Sequence, residues 1–200
     1  MDTLAATREL VLVTAPVVKP VTLDEAKDQC RVEGSDDDVL LTRLIAVATA
    51  YTDAQGALGQ AMITQTWGQW IGPNPTQSVS LRMGPLQDLV AIRYYDEDGV
   101  LQDDDIANYN VFGTSLSSFV GPKSGFNWPA TQDRADAIKI EYRVGFGDAA
   151  SDVPDTIRHA MLMMVGHWYE NREQTGFDEL SQVPFGFEAL LNMHRGSWYG

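Results

Sequence analysis

Ala137-Ile138-Lys139-Ile140-Glu141-Tyr142-Arg143-Val144 alternates with period two, and Ile157, Ala160, Met161, Met164, Val165 and Trp168 then recur with the period of a helix. This switch decides the fold. In the first segment Ile138, Ile140, Tyr142 and Val144 point one way and Lys139, Glu141 and Arg143 the other, which predicts a strand with one packed and one wet face. Pro154 suits the first turn of the helix that follows. Leu162, Met163 and Gly166 give that helix a second apolar face, so it is expected at the centre of a core or between subunits.

Upstream of this switch the chain has strand character. Ala61 to Ile71 is rich in Ile, Thr and Trp. Pro73 and Pro75 break that run. Leu89 to Tyr95 alternates, with Val90, Ile92 and Tyr94 expected on one face. Asp98-Gly99 signals a hairpin. Several short antiparallel strands predict a small sandwich or barrel.

Further upstream the period is helical again. Thr22-Leu23-Asp24-Glu25 is a capping box opening a helix to about Val32, with Gly34 as its stop. Ser35 is expected to cap a second helix, with Asp36, Asp37 and Asp38 in its first turn. Leu40, Leu44, Val47 and Tyr51 would form its inner face, and Gly56 and Gly59 would close it. Residues 1–19 read as an extended arm, since Pro16 and Pro20 oppose a helix. A last helix is predicted over Phe187 to His194. The reading is an α+β chain: a small bundle of about four helices, with an antiparallel sandwich- or barrel-like insertion between helices two and three. Its parts are the arm 1–19, a helical core from 20–59 and 150–200, and the β insertion 60–149.

Composition narrows the function. Two hundred residues, 44% of them hydrophobic, support one core or one core with an insertion. Fourteen Lys and Arg stand against 28 Asp and Glu, a net charge of −14. Such a chain lacks the basic patch that grips a phosphate backbone or an anionic membrane. The single Cys30 excludes an intrachain disulfide and fits a reducing cytoplasm. No signal peptide pattern is seen, and the most apolar stretch, Ala160 to Val165, is far short of the roughly 20 residues a bilayer needs.

The catalytic motifs are weak. Gly145-Phe146-Gly147-Asp148-Ala149-Ala150 fits G-x-G-x-x-A, but the chain after it stays helical, so a turn between sheet and helix is the better reading. His167 and Glu170 stand at i, i+3 with no second His at H-E-x-x-H spacing and no partner cysteine. Asp96-Glu97-Asp98 and Asp103-Asp104-Asp105 read as a solvated hairpin, lacking the spacing of an EF-hand. No G-x-S-x-G elbow occurs, and no His lies near Cys30 in sequence. No enzyme activity, cofactor or metal is expected. The tryptophans Trp67, Trp70, Trp128, Trp168 and Trp198 read mostly as core. Together with the acids they leave a carbohydrate-binding or carbohydrate-cleaving protein as the alternative.

Several segments in order resemble phage head–tail connector proteins. They are Pro20 to Lys27, Arg31-Val32-Glu33 with the Asp run after it, Gln65-Thr66-Trp67, Pro85-Leu86-Gln87, the Tyr94 to Gly99 hairpin, Tyr142 to Gly147 and Val153-Pro154. His167-Trp168-Tyr169-Glu170-Asn171-Arg172-Glu173, then Pro184-x-Gly186 and Leu190-Leu191, are the most specific pieces. The resemblance spans about Val17 to Arg195. It implies an adaptor in the neck of a phage or gene transfer agent, assembled in the bacterial cytoplasm. It implies a ring of twelve copies beneath the portal, meeting a tail-side stopper or tail-terminator protein, with DNA passing through without tight binding. It supplies no catalytic residues.

The partner contact is expected in the C-terminal segment. Phe185, Phe187, Leu190 and Leu191 are more apolar surface than a short helix hides easily. Trp198 and Tyr199 then follow at a terminus, where residues are usually polar, and aromatic anchors dominate interfaces.

Overall fold

The computed structural model describes residues 10–75, 78–114, 117–171 and 185–194, with only the backbone of Phe185. In chain order the elements are β1 (Leu10–Thr14), α1 (Leu23–Cys30), α2 (Asp38–Thr52), β2 (Gln65–Ile71), β3 (Val79–Leu81), β4 (Leu86–Tyr95), β5 (Leu101–Asp104), β6 (Tyr109–Thr114), β7 (Ser117–Pro122), β8 (Ile138–Val144), α3 (Asp155–Glu170) and α4 (Phe185–Asn192). The chain forms two compact units, one of residues 1–15 and 64–145, the other of 16–63 and 146–200. The α+β class read from the period switch is borne out.

In the helical unit α3 is buried at Ile157, Ala160, Met161, Met164 and Val165, with Trp168 packed at the margin. Burial of each such side chain contributes about 1.5–3 kcal/mol. Around α3 gather Ala26 of α1, Leu41, Ile45 and Ala48 of α2, and Phe187 and Leu191 of α4. The capping box forms as expected: the Glu25 amide donates to Thr22 Oγ1 at 3.2 Å, and the Thr22 amide donates to Glu25 Oε2 at 2.8 Å. Thr22→Ala is expected to cost about 1 kcal/mol, read as a fall of about 2–4 °C in thermal midpoint.

Helix α2 differs from the expected start and inner face. The helix starts at Asp38, Asp37 is its N-cap residue without a side-chain cap, and it ends at Thr52. The buried stripe is Leu41, Ile45, Ala48, Thr49 and Thr52, while Val47 is 53% and Val39 66% exposed. The helix is apolar nearly all round, so two stripes one residue apart compete, and period alone does not choose between them. Helix α1 ends at Cys30, with Arg31 in the left-handed region closing it.

The β unit is wholly antiparallel: a five-stranded sheet in the order β1-β2-β8-β4-β5 and a three-stranded sheet in the order β3-β7-β6. Neither closes into a barrel. Leu10–Thr14 of the expected arm is an edge strand on β2. The register β2–β8 pairs Trp67 with Tyr142, Gln69 with Ile140 and Ile71 with Ile138, which puts all six side chains on one buried face. Val90 does not join it. An irregularity between Leu89 and Ala91 inserts a residue opposite β8, and Val90 turns outward.

Candidate functional site

The wet face of the five-stranded sheet gathers charge. Glu141 is only 6% exposed, although period two places it outward. Lys139 Nζ approaches its carboxylate at 2.7 Å and Arg93 Nη1 at 3.1 Å. Gly68 on β2 makes room for this: a Cβ there would lie 2.7 Å from Lys139 Cε. Arg93 also reaches Asp103 at 2.9 Å, and Arg143 Nε reaches Asp88 at 2.7 Å. On the opposite face the Tyr142 hydroxyl donates to the Arg82 carbonyl at 2.8 Å. The Gln69 side chain donates to the Ser80 carbonyl and accepts from the Arg82 amide, tying β3 to β2. Burial holds the Tyr142 phenol protonated, well above its usual range.

Four of the six hairpin acids have a structural task, Asp103 through its ion pair with Arg93. Asp96 accepts from the Asp98 and Val100 amides and from Gln102, closing the turn in which Gly99 is left-handed. Asp104 accepts from the Tyr109 hydroxyl, and Asp105 caps the turn Ile106–Asn108 through the Ala107 amide. The Arg143 bond holds Asp88 below its ordinary 3.8, the Gln102 bond does so for Asp96, and the Arg134 bond for Asp136. Depressed carboxyls add stability that is complete above 3.8 and is lost as pH falls through their folded values. The urea midpoint of the β unit is therefore expected to hold from about pH 7 to 5 and to fall below about pH 4.

The other candidate motifs also resolve into structure. At Gly145 the amide donates to the Pro85 carbonyl, and at Phe146 to the Met62 carbonyl, so these two amides of the turn are engaged. A Cβ on Gly147 would collide with the Asp152 carboxylate, which accepts from the Ala149 amide at 2.9 Å. His167 is joined to Asn171 through the Asn171 side chain. Among the described residues no cluster of His, Cys, Asp and Glu could hold a metal ion, and no helix is long and apolar enough to cross a membrane. Cys30 is half-buried against the helical core. Trp67 is buried, Trp70 stacks on Tyr95 and Trp128 packs on Tyr109.

The C-terminal residues separate. Phe187 and Leu191 are fully buried, and Phe187 packs on Tyr51 with ring centroids 5.7 Å apart. Leu190 is half-buried, and Met193 is exposed. Gln60 donates to the His194 carbonyl at 2.6 Å, fixing the end of α4. The Phe185 side chain, Trp198 and Tyr199 lie outside the described residues. Sequence reasoning missed two surfaces. One is the outward face of α2, with Val39 and Val47. The other is the pair of uncharged edge strands β1 and β6, where Val11, Leu12, Val13, Val111 and Phe112 are all exposed.

Residues 20–116 match the family model described as Phage gp6-like head-tail connector protein. The resemblance read from the sequence is borne out over that range, while its pieces from Tyr142 onward lie beyond it. No curated protein matches the chain in sequence. The fold is similar to a chain from the neck of an empty gene transfer agent particle computed with C6 symmetry, with TM-score 0.75 and 19% identity over 94% of this chain and 95% of that one. It is also similar to a chain from the virion of a native gene transfer agent particle, with TM-score 0.70 and 21% identity over 93% and 94%. A third similar chain comes from the neck of a native particle computed with C12 symmetry, with TM-score 0.67 and 19% identity over 94% of each.

Proposed function

We propose that this chain, related to the head–tail connectors through residues 20–116, is a structural neck protein of a phage or phage-derived gene transfer particle. The observation that carries this is the agreement of two independent comparisons: a connector family match in sequence, and a neck-protein likeness covering 93–94% of the chain. It works as a ring of twelve copies beneath the portal, joining portal to tail-side neck protein and lining the DNA channel. The C12 and C6 symmetries of the similar necks support a ring. Its work is binding and spacing, not catalysis. A charge of −14 suits the channel, since carboxylates facing DNA repel it and let it slide. A gel-shift assay on duplex DNA at physiological salt is expected to show no complex.

The C-terminal segment makes the portal contact. Phe187 and Leu191 hold α4 in its own core, which leaves Leu190, Phe185, Trp198 and Tyr199 of the expected residues, and the exposed Met193, for the contact. The function is tested by deleting the gene in a producing strain. Separate filled heads and free tails are expected. Normal tailed particles would refute the assignment.

A further inference from the structure

We propose that the copies of this chain join head to tail through their sheets, the free edge of β1 in one copy pairing with the free edge of β6 in the next. The inference rests on the ring reading and names the surface that would close the ring. Among the described residues the sheets end on β1 and β5 in the five-stranded sheet and on β6 at one end of the other. The remaining edge, β3, has its Ser80 carbonyl and the adjoining Arg82 amide taken by Gln69.

An open edge exposes backbone donors and acceptors, and the occupant that satisfies them is another strand. Soluble proteins normally block such edges with charge. β5 is blocked, since it carries Asp103 and Asp104. β1 (LVLVT) and β6 (YNVFGT) carry no charged residue, and both are exposed along nearly their whole length. A chain of net charge −14 repels its own copies, and a contact surface without carboxylates avoids adding to that repulsion. These two edges meet that condition. They are also different from each other, and a ring of more than two copies needs a contact between unlike patches.

The test is thiol cross-linking in assembled particles, in a Cys30→Ser background. Val11→Cys and Val111→Cys are made singly and together, and a short bismaleimide is added before denaturing electrophoresis. The double variant is expected to give a ladder of multimers and each single variant only monomer. Dimers from either single variant would mean like edges pair, and would overturn the proposal. No ladder in the double variant, while glutaraldehyde still ladders the wild type, overturns this pairing and leaves the ring standing. No ladder with glutaraldehyde overturns both. As a second arm, Val11→Asp is expected to abolish particle assembly while the isolated chain keeps its circular dichroism spectrum, and adding Val111→Lys is expected to restore it. Assembly unaffected by Val11→Asp also counts against the pairing.

Discussion

Met164→Asp is expected to unfold the helical unit. Met164 lies mid-way along α3 and is 1% exposed, among side chains of all four helices. A carboxylate there would enter a cluster of buried apolar side chains. Burying it unpaired, together with the lost packing, costs about 4–5 kcal/mol. That approaches the whole stability of an ordinary domain, about 5–15 kcal/mol. Far-UV circular dichroism should show helix loss at room temperature or a melt displaced far downward. Met164→Leu, which keeps volume, should stay within about 1.5 kcal/mol. An unchanged melt for the aspartate would mean that α3 is peripheral.

The second large effect is expected at Glu141. Its carboxylate is the shared partner of Lys139 and Arg93 and is itself buried. Removing one member of a buried ionic group leaves the others unpaired, at about 3–5 kcal/mol when they are fully desolvated. Here the Arg93 side chain is 38% exposed and can turn to water, so about 2 kcal/mol is expected for Glu141→Ala. Glu141→Gln isolates the charge and should recover part of that loss. Urea unfolding of both variants measures it. A midpoint equal to wild type in Glu141→Ala would show that the network adds nothing beyond a surface ion pair.

How far the sequence could be read depended on what each period encodes. The α3 stripe and the Ile138 to Val144 alternation were unambiguous, because one side of each element is much more apolar than the other. On α2 the Leu40, Leu44, Val47, Tyr51 stripe is as apolar as the buried one, although Val47 and Tyr51 are exposed. Val90 was misplaced by an inserted residue that leaves no local mark. Leu10–Thr14 read as an arm because an edge strand depends on its neighbour β2, not on its own pattern. Glu141 read as wet because alternation reports direction and not cover. For the candidate site, the hairpin acids, the glycine turn and His167 were legible as structural groups. The exposed edges were not, since exposure is a property of the assembled sheet.

The central claim is that this chain is a neck protein, and imaging the neck tests it most directly. Particles carrying a tagged copy of the chain, reconstructed by electron cryomicroscopy with no symmetry imposed, should show the tag as a ring of twelve between portal and tail. Density for the tag elsewhere in the particle, or its absence from purified particles, would contradict the assignment.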